Sequence, residues 1–199
     1  MVSEGMQYCL FAKRQQFHYR LIHCPELSLG LFSTFDSERS PSTAPTLSAA
    51  RPPDSANQNK KAVLIGHVIA TQCASPRVTD ESMDFPPDWQ SGVSKSEIRG
   101  HQDGGRTIAV HSVAILPEYQ GRGLGIVIRK AYTQRMETAG IGDRIALLAH
   151  DHLVNFYRKS NYQDRGRSEA KFGGGGWNDM ASLPTLDRLR SVVVVRSTC

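Results

Sequence analysis

The run from Thr107 to Gly125, TIAVHSVAILPEYQGRGLG, constrains this chain more than any other stretch. It opens as two apolar pieces, Ile108-Ala109-Val110 and Val113-Ala114-Ile115-Leu116, with His111 set between them. A strand buried on both faces reads this way. Pro117 stops the run, and Gln120-Gly121-Arg122-Gly123-Leu124-Gly125 follows as a glycine-spaced turn. Beyond it Leu124, Val127, Ile128, Ala131 and Tyr132 fall at helical spacing, with Arg129, Lys130, Gln134 and Arg135 on the other side. That pattern predicts an amphipathic helix ending near Gly140-Ile141-Gly142. Buried strand, break and glycine-rich helix start together predict an anion-binding site, because the first helical amides lack internal acceptors and carry positive potential. The simpler alternative is a plain glycine turn.

The flanking sequence supplies a sheet around that strand. Phe17 to Ile22 reads as the end of a helix broken by Pro25. Leu27 to Phe35 alternates with period two, and Ala62 to Thr71 is a second strong strand. Between them Asp36 to Lys61 is rich in Ser, Pro, Ala and Asn and reads as a long low-complexity loop. Asp80 to Gly105 reads as a second long loop. Arg144 to His150 is predicted as a buried strand and Leu153 to Ser160 as a short helix. Asn161-Tyr162 begins a last pair of strands, split by Phe172 to Gly176 and resumed from Trp177 to Met180. Residues 184–199 read as a C-terminal tail in which Val192 to Val195 form one further strand of unassigned place. The fold class expected is α/β, a mixed central sheet flanked by helices.

Charge and cysteine usage narrow the function classes. The formal net charge of +5 comes from 24 basic against 19 acidic residues, a mild excess without a basic block, so nucleic acid is not the expected partner. Cys9, Cys24, Cys73 and Cys199 form no paired spacing, which argues against a zinc site or a disulfide framework and predicts no metal. No signal segment and no long apolar run appears, so the expected location is the cytoplasm and no membrane is expected as a partner.

Three phosphate-binding patterns compete for the glycine turn. A Walker loop requires Gly-Lys-Ser/Thr where the chain has Gly125-Ile126-Val127. A dinucleotide fingerprint requires glycine where Ile126 stands. The pattern Gln/Arg-x-x-Gly-x-Gly/Ala is met by Gln120, Gly123 and Gly125. This segment resembles the acetyl-coenzyme A site of the GNAT superfamily of N-acetyltransferases. Cys24-Pro25-Glu26-Leu27-Ser28-Leu29-Gly30, Thr79 to Met83 with Pro86-Pro87, and His150 to Tyr157 resemble blocks of the arylalkylamine (serotonin-type) branch. Lys171 to Trp177, KFGGGGW, resembles its fungal-type members. The resemblance covers roughly residues 17–183, taken as the N-acetyltransferase domain with 36–61 as an insertion.

The resemblance implies the GNAT acyl-CoA N-acyltransferase fold, acetyl-CoA as co-substrate and transfer of the acetyl group to a primary amine, an arylalkylamine or a polyamine, by direct attack on the thioester. It implies coenzyme contacts from Val113, Ile115, Gln120, Gly121, Arg122, Gly123, Leu124, Gly125 and Asn155. It makes His111 the base and Tyr157 the acid that protonates the departing thiolate; the second family histidine, two residues before His111, is here Ala109. Each has a bland alternative, a core histidine and a core aromatic. Asp80, Glu81 and Asp84 are candidates for attracting a cationic amine, and Phe85, Trp89 and Trp177 for covering it, against a solvated acidic loop and loop packing. His67, His101, His150 and His152 read as structural or exposed. The family has a strand and helix before its Cys-Pro-Glu-Leu block, whereas only 23 residues precede Cys24, so the first strand is expected to be missing or replaced. A monomer is expected. The alternatives are a protein or peptide amine acetyltransferase of the same fold and an acyl-CoA-binding module of weak activity.

Overall fold

In the computed structural model, residues 4–36, 60–91 and 99–182 are described. The predicted loop 36–61, apart from its ends, and the tail 184–199 lie outside them. The chain opens with helix α1 (Glu4–His23), a short 3-10 turn at Pro25–Leu27, and strand β1 (Leu29–Asp36). Strand β2 (Lys60–Cys73), the short helix α2 (Asp80–Met83) and strand β3 (Thr107–Ile115) follow. Helix α3 (Leu124–Ala139), β4 (Arg144–Ala149), α4 (Asp151–Arg158), β5 (Tyr162–Arg167) and β6 (Asn178–Ser182) complete it.

The six strands form one sheet in the order β1-β2-β3-β4-β6-β5. Only the β3–β4 pair is parallel, as the crossover through α3 requires; the others are antiparallel. On one face α3 and α4 cover a core that includes Val68, Ala70, Ile108, Val110, Ile128, Tyr132, Met136 and Leu147. Full burial of one such aliphatic side chain contributes about 1.5–3 kcal/mol. A smaller cluster of Cys73, Val78, Met83, Ala109 and Ala146 lies on the opposite face.

The helix expected to end ahead of Pro25 is present, and two other expectations are corrected. The helix ahead of Pro25 begins at Glu4; among its described side chains only Tyr19 and Arg20 are buried, so there is no regular apolar stripe for a period reading to find. The stretch 80–105 is not loop throughout, because Thr79 caps α2 with a reciprocal bond to Ser82. On α3 the inward face is Ile128, Arg129, Tyr132 and Met136, while Val127 and Ala131 point outward. Arg129 replaces the expected apolar neighbour by laying its guanidinium 6.0 Å from the Phe156 ring centre and 5.9 Å from that of Tyr162.

The Cys-Pro-Glu-Leu block anchors α1 and β1 to the core. Cys24 and Leu27 are fully buried, and the Tyr132 hydroxyl donates to the Leu27 carbonyl at 3.0 Å. No strand precedes this block among the described residues, and β1 stands at the edge of the sheet.

Candidate active site

The parallel pairing of β3 with β4 runs only from Thr107 to Val110, against Arg144 to Leu147. Beyond it the two strands part, and the gap opens toward α3 and α4. There a cavity of about 450 Å³ is bounded by Val113 and Ile115 of β3, by Gln120, Gly121, Gly123, Leu124 and Gly125 of the turn, and by Tyr157 of α4. Tyr119, Ile126, Leu153 and Phe156 complete the wall and were not singled out from the sequence. Leu153, Phe156 and Tyr157 share one face of α4, so the i, i+3, i+4 spacing was the signal available. Arg122 and Asn155 do not line the cavity: Arg122 lies 5.6 Å from the centre of the Tyr119 ring, and Asn155 is exposed.

The turn is built to bare its backbone. After a 3-10 turn at Pro117–Tyr119, the Gln120 side-chain Nε2 donates to the Ile115 carbonyl at 2.9 Å, tying the turn to the end of β3. Gly121 and Gly123 adopt φ of +73° and +77°, the left-handed region that favours glycine. Gly123 caps α3, so the amides of Leu124 and Gly125 have no intrahelical acceptor. Those amides, an aligned helix and an adjoining cavity fit a pyrophosphate.

Tyr157 stands at the inner end of the same cavity, 7% exposed, with Phe156 and Tyr162 edge-on to its ring at 5.1 and 5.6 Å. Burial raises its pKa above the ordinary phenol value, with the nearby Arg129 charge opposing, so the hydroxyl keeps its proton at neutral pH.

The opposite face of the gap carries the histidine. Ile69 pairs with Ser112 but Ala70 pairs with Val110, so β3 holds one extra residue, His111, in a bulge. Val110 and Val113 both belong to the α3/α4 core, and the bulge lets His111 and Ser112 both turn to the other face. There His111 Nε2 lies 2.7 Å from Thr71 Oγ1 and Nδ1 lies 2.9 Å from Met83 Sδ. Desolvation holds the His111 pKa well below the ordinary value, and the Arg20 charge pushes the same way. Arg20 is itself buried, donates to the Met83 carbonyl at 2.6 Å, and has its pKa lowered to about 10 by burial.

The loop residues divide. Asp80 accepts from the Lys171 and Phe172 amides at 2.9 and 2.7 Å, so it fastens the glycine-rich loop before β6. Asp84 pairs with Arg99 at 3.4 Å. Phe85 and Trp89 join Tyr19 of α1 at ring separations of 6.0 and 5.8 Å, on the face that carries His111. Trp177 is elsewhere, stacked 3.8 Å from His150. His101 is held by Asp103 and the Gln72 amide. His67, read from the sequence as structural or exposed, bonds Ser112 at 2.9 Å beside the bulge.

A family model described as an acetyltransferase (GNAT) domain matches residues 52–183. The match exceeds half of the chain, which therefore belongs to the GNAT acetyltransferase family. It is an acetyl-CoA-dependent N-acetyltransferase, an acyltransferase of mixed α/β GNAT fold. No curated protein matches the chain. Among solved structures it is similar to the NatC complex bound to Gag peptide and CoA, at 13% identity over 83% of this chain and 76% of that one, with a TM-score of 0.48. It is similar to the PaiA N-acetyltransferase from Thermoplasma acidophilum in complex with coenzyme A, at 13% identity over 60% and 54% and a TM-score of 0.36. Nourseothricin acetyltransferase is similar at 15% identity over 60% and 58%, with a TM-score of 0.35. The chain spans a little over half the length of the latter two. Among the described residues no helix is long and apolar enough to cross a membrane.

Proposed function

We propose that residues 17–183 form a small-amine N-acetyltransferase domain of the arylalkylamine type, acting in the cytoplasm as a monomer on an arylalkylamine or polyamine. The observation that carries this reading is the arrangement of one cavity and one bulge on the two faces of the same strand gap. The cavity at the glycine turn takes the coenzyme, with the Gly121 to Gly125 backbone around the pyrophosphate and Val113 and Ile115 along the pantetheine arm. Arg122 is left to a solvent-side phosphate and Asn155 to the outer end of the arm. The amine enters from the face of α1 and α2, where the half-buried Phe85 and Trp89, backed by the buried Tyr19, offer ring surface to an aromatic or alkyl chain.

In this scheme the amine nitrogen bonds to the acetyl carbon, the main chain near Val113 to Ile115 meets the oxyanion, and the carbon–sulfur bond breaks. His111 accepts a proton from nitrogen, for which its lowered pKa keeps it neutral, and Tyr157 donates to the leaving sulfur. The test is release of coenzyme A thiol from acetyl-CoA with tryptamine, phenethylamine, spermidine and lysine peptides. Turnover with a small amine and a fall of about 10²-fold or more in Tyr157→Phe is expected. Turnover confined to peptides selects a protein acetyltransferase, and coenzyme binding without turnover selects a binding module. A Tyr157→Phe protein as fast as the parent removes the acid role.

A further inference from the structure

The acceptor amine arrives as an ammonium ion and must lose two protons before it ends as an amide, and the scheme above uses one base, His111. A single neutral imidazole accepts one proton, so His111 alone does not take both. Its two ring nitrogens already lie within bonding distance of Thr71 and Met83, Thr71 is fully buried, and the Arg20 charge stands close by. A second imidazole is present on the same face. Val68 and Ala70 point to the α3/α4 core, so the alternation of β2 turns His67, Ile69 and Thr71 the other way. His67 Nε2 lies 2.9 Å from Ser112 Oγ, and both side chains are half-buried. Ser112 faces this side only because the extra residue in β3 shifts the alternation, and it directly precedes Val113, which lines the coenzyme cavity.

We infer that His67, acting through the Ser112 hydroxyl, takes the first proton from the incoming ammonium. The inference rests on the acetyltransferase mechanism proposed above. The ammonium N–H gives its proton to Ser112 Oγ while the Ser112 hydroxyl proton moves to His67 Nε2, leaving a neutral amine and an imidazolium. The amine lone pair then forms the carbon–nitrogen bond, and the second N–H proton goes to His111. The carbon–sulfur bond breaks, sulfur keeps the electron pair and takes the Tyr157 proton. Solvent returns a proton to Tyr157 and receives those on the two imidazoles, so one proton is released in each turnover.

The surroundings of His67 suit a base that is neutral at rest. Phe17 of α1 lies edge-on to it at 5.7 Å, Gly30 is its β1 partner, and Thr71 shares its face of β2. The titratable and charged groups on the packed elements are Arg14 and Arg20, three residues either side of Phe17, with His18 and His23 on α1 and His111 on β3, and no carboxylate occurs among the described side chains of α1, β1, β2 and β3. Desolvation lowers its pKa, which favours return of the proton after each cycle.

Two acceptors separate a proton path from a structural contact. One is phenethylamine, an ammonium ion at pH 7; the other is a fluorinated ethylamine of low pKa that is already neutral there. With the ammonium acceptor, His67→Gln and Ser112→Ala are each expected to lower kcat/KM by about 10²-fold, the lower end for general base catalysis. The same variants are expected to leave kcat/KM for the neutral amine within about threefold, and to move the wild-type acid limb of the pH profile toward the acceptor's own pKa. His111→Gln is expected to slow both amines. Equal losses with both amines in His67→Gln and Ser112→Ala, or no loss with either, overturn the inference. A wild-type protein that acetylates no amine removes the mechanism and this inference with it, whereas wild-type turnover with amine-independent losses removes only the inference.

Discussion

Gly123 and Gly125 sit two residues apart in the turn before α3, and changing each to alanine is expected to have different effects. Gly123 holds φ +77° and a Cβ there would meet nothing within 4 Å, so alanine costs about 1–2 kcal/mol through backbone conformation alone. At Gly125 the backbone is helical and a Cβ would lie 3.8 Å from Phe156 Cζ, an ordinary contact. Gly125→Ala is therefore expected to hold or raise stability, by up to about 1 kcal/mol from helix propensity, while raising the KM for acetyl-CoA. Gly123→Ala is expected to lower Tm and raise that KM together. Melting curves and saturation kinetics on the two proteins check this; an unchanged KM in Gly125→Ala would remove the coenzyme from the turn. The glycines were legible from the sequence because left-handed backbone leaves few residue choices. His67 was not, since its partner lies 45 residues away on another strand.

At the level of elements, α2 fixes how the chain closes over His111. The helix has only four residues, too few to be stable alone, and its start depends on the Thr79–Ser82 capping pair. Its Asp80 holds the loop before β6, and its Met83 meets both Arg20 and His111. Thr79→Ala is expected to cost about 1 kcal/mol, a fall of about 2–4 °C in Tm for a chain of this size. Because the lost cap frees Met83, activity with amines is expected to fall more than that loss of stability alone accounts for; a parallel assay below Tm measures the difference. Polarity made Asp80 to Gly105 read as loop, and a single capped turn is too short for helical periodicity to reveal. The inward turn of Arg129 escaped for another reason: spacing locates a face, but only packed neighbours such as Phe156 and Tyr162 allow a guanidinium on it.

For the molecule as a whole, the face that carries His111 and His67 imposes a pH dependence on stability. His111 and His67 have pKa values below that of a free imidazole, the first well below, so the folded protein resists protonating them while the unfolded chain does not. Between the folded values and about 6.5 the unfolded state binds more protons, and stability falls as pH falls. Above that range neither state is protonated and the contribution vanishes. Tm is expected to drop by a few degrees between pH 7 and pH 5, and by less in His111→Gln. Parallel losses in the two proteins would exclude His111 as the group responsible. The Arg20 cation beside His111 sharpens the effect, because two positive charges would then share one buried pocket.

The sequence by itself determined the central strand, the glycine turn, the order of strands and helices after it, and the family whose fold they build. These follow from local rules: period, chain breakers and the conformations open to glycine. Tertiary structure alone decided which residues meet across the gap between β3 and β4. The bulge at His111 is a property of pairing with β2, invisible in either strand read singly, and it sends His111 and Ser112 to one face while returning Val113 to the other. Tertiary structure also separated Trp177 from Phe85 and Trp89, which the sequence alone groups as candidate cover for an amine. A residue's type states the chemistry it can perform; its register against a distant strand decides where that chemistry occurs.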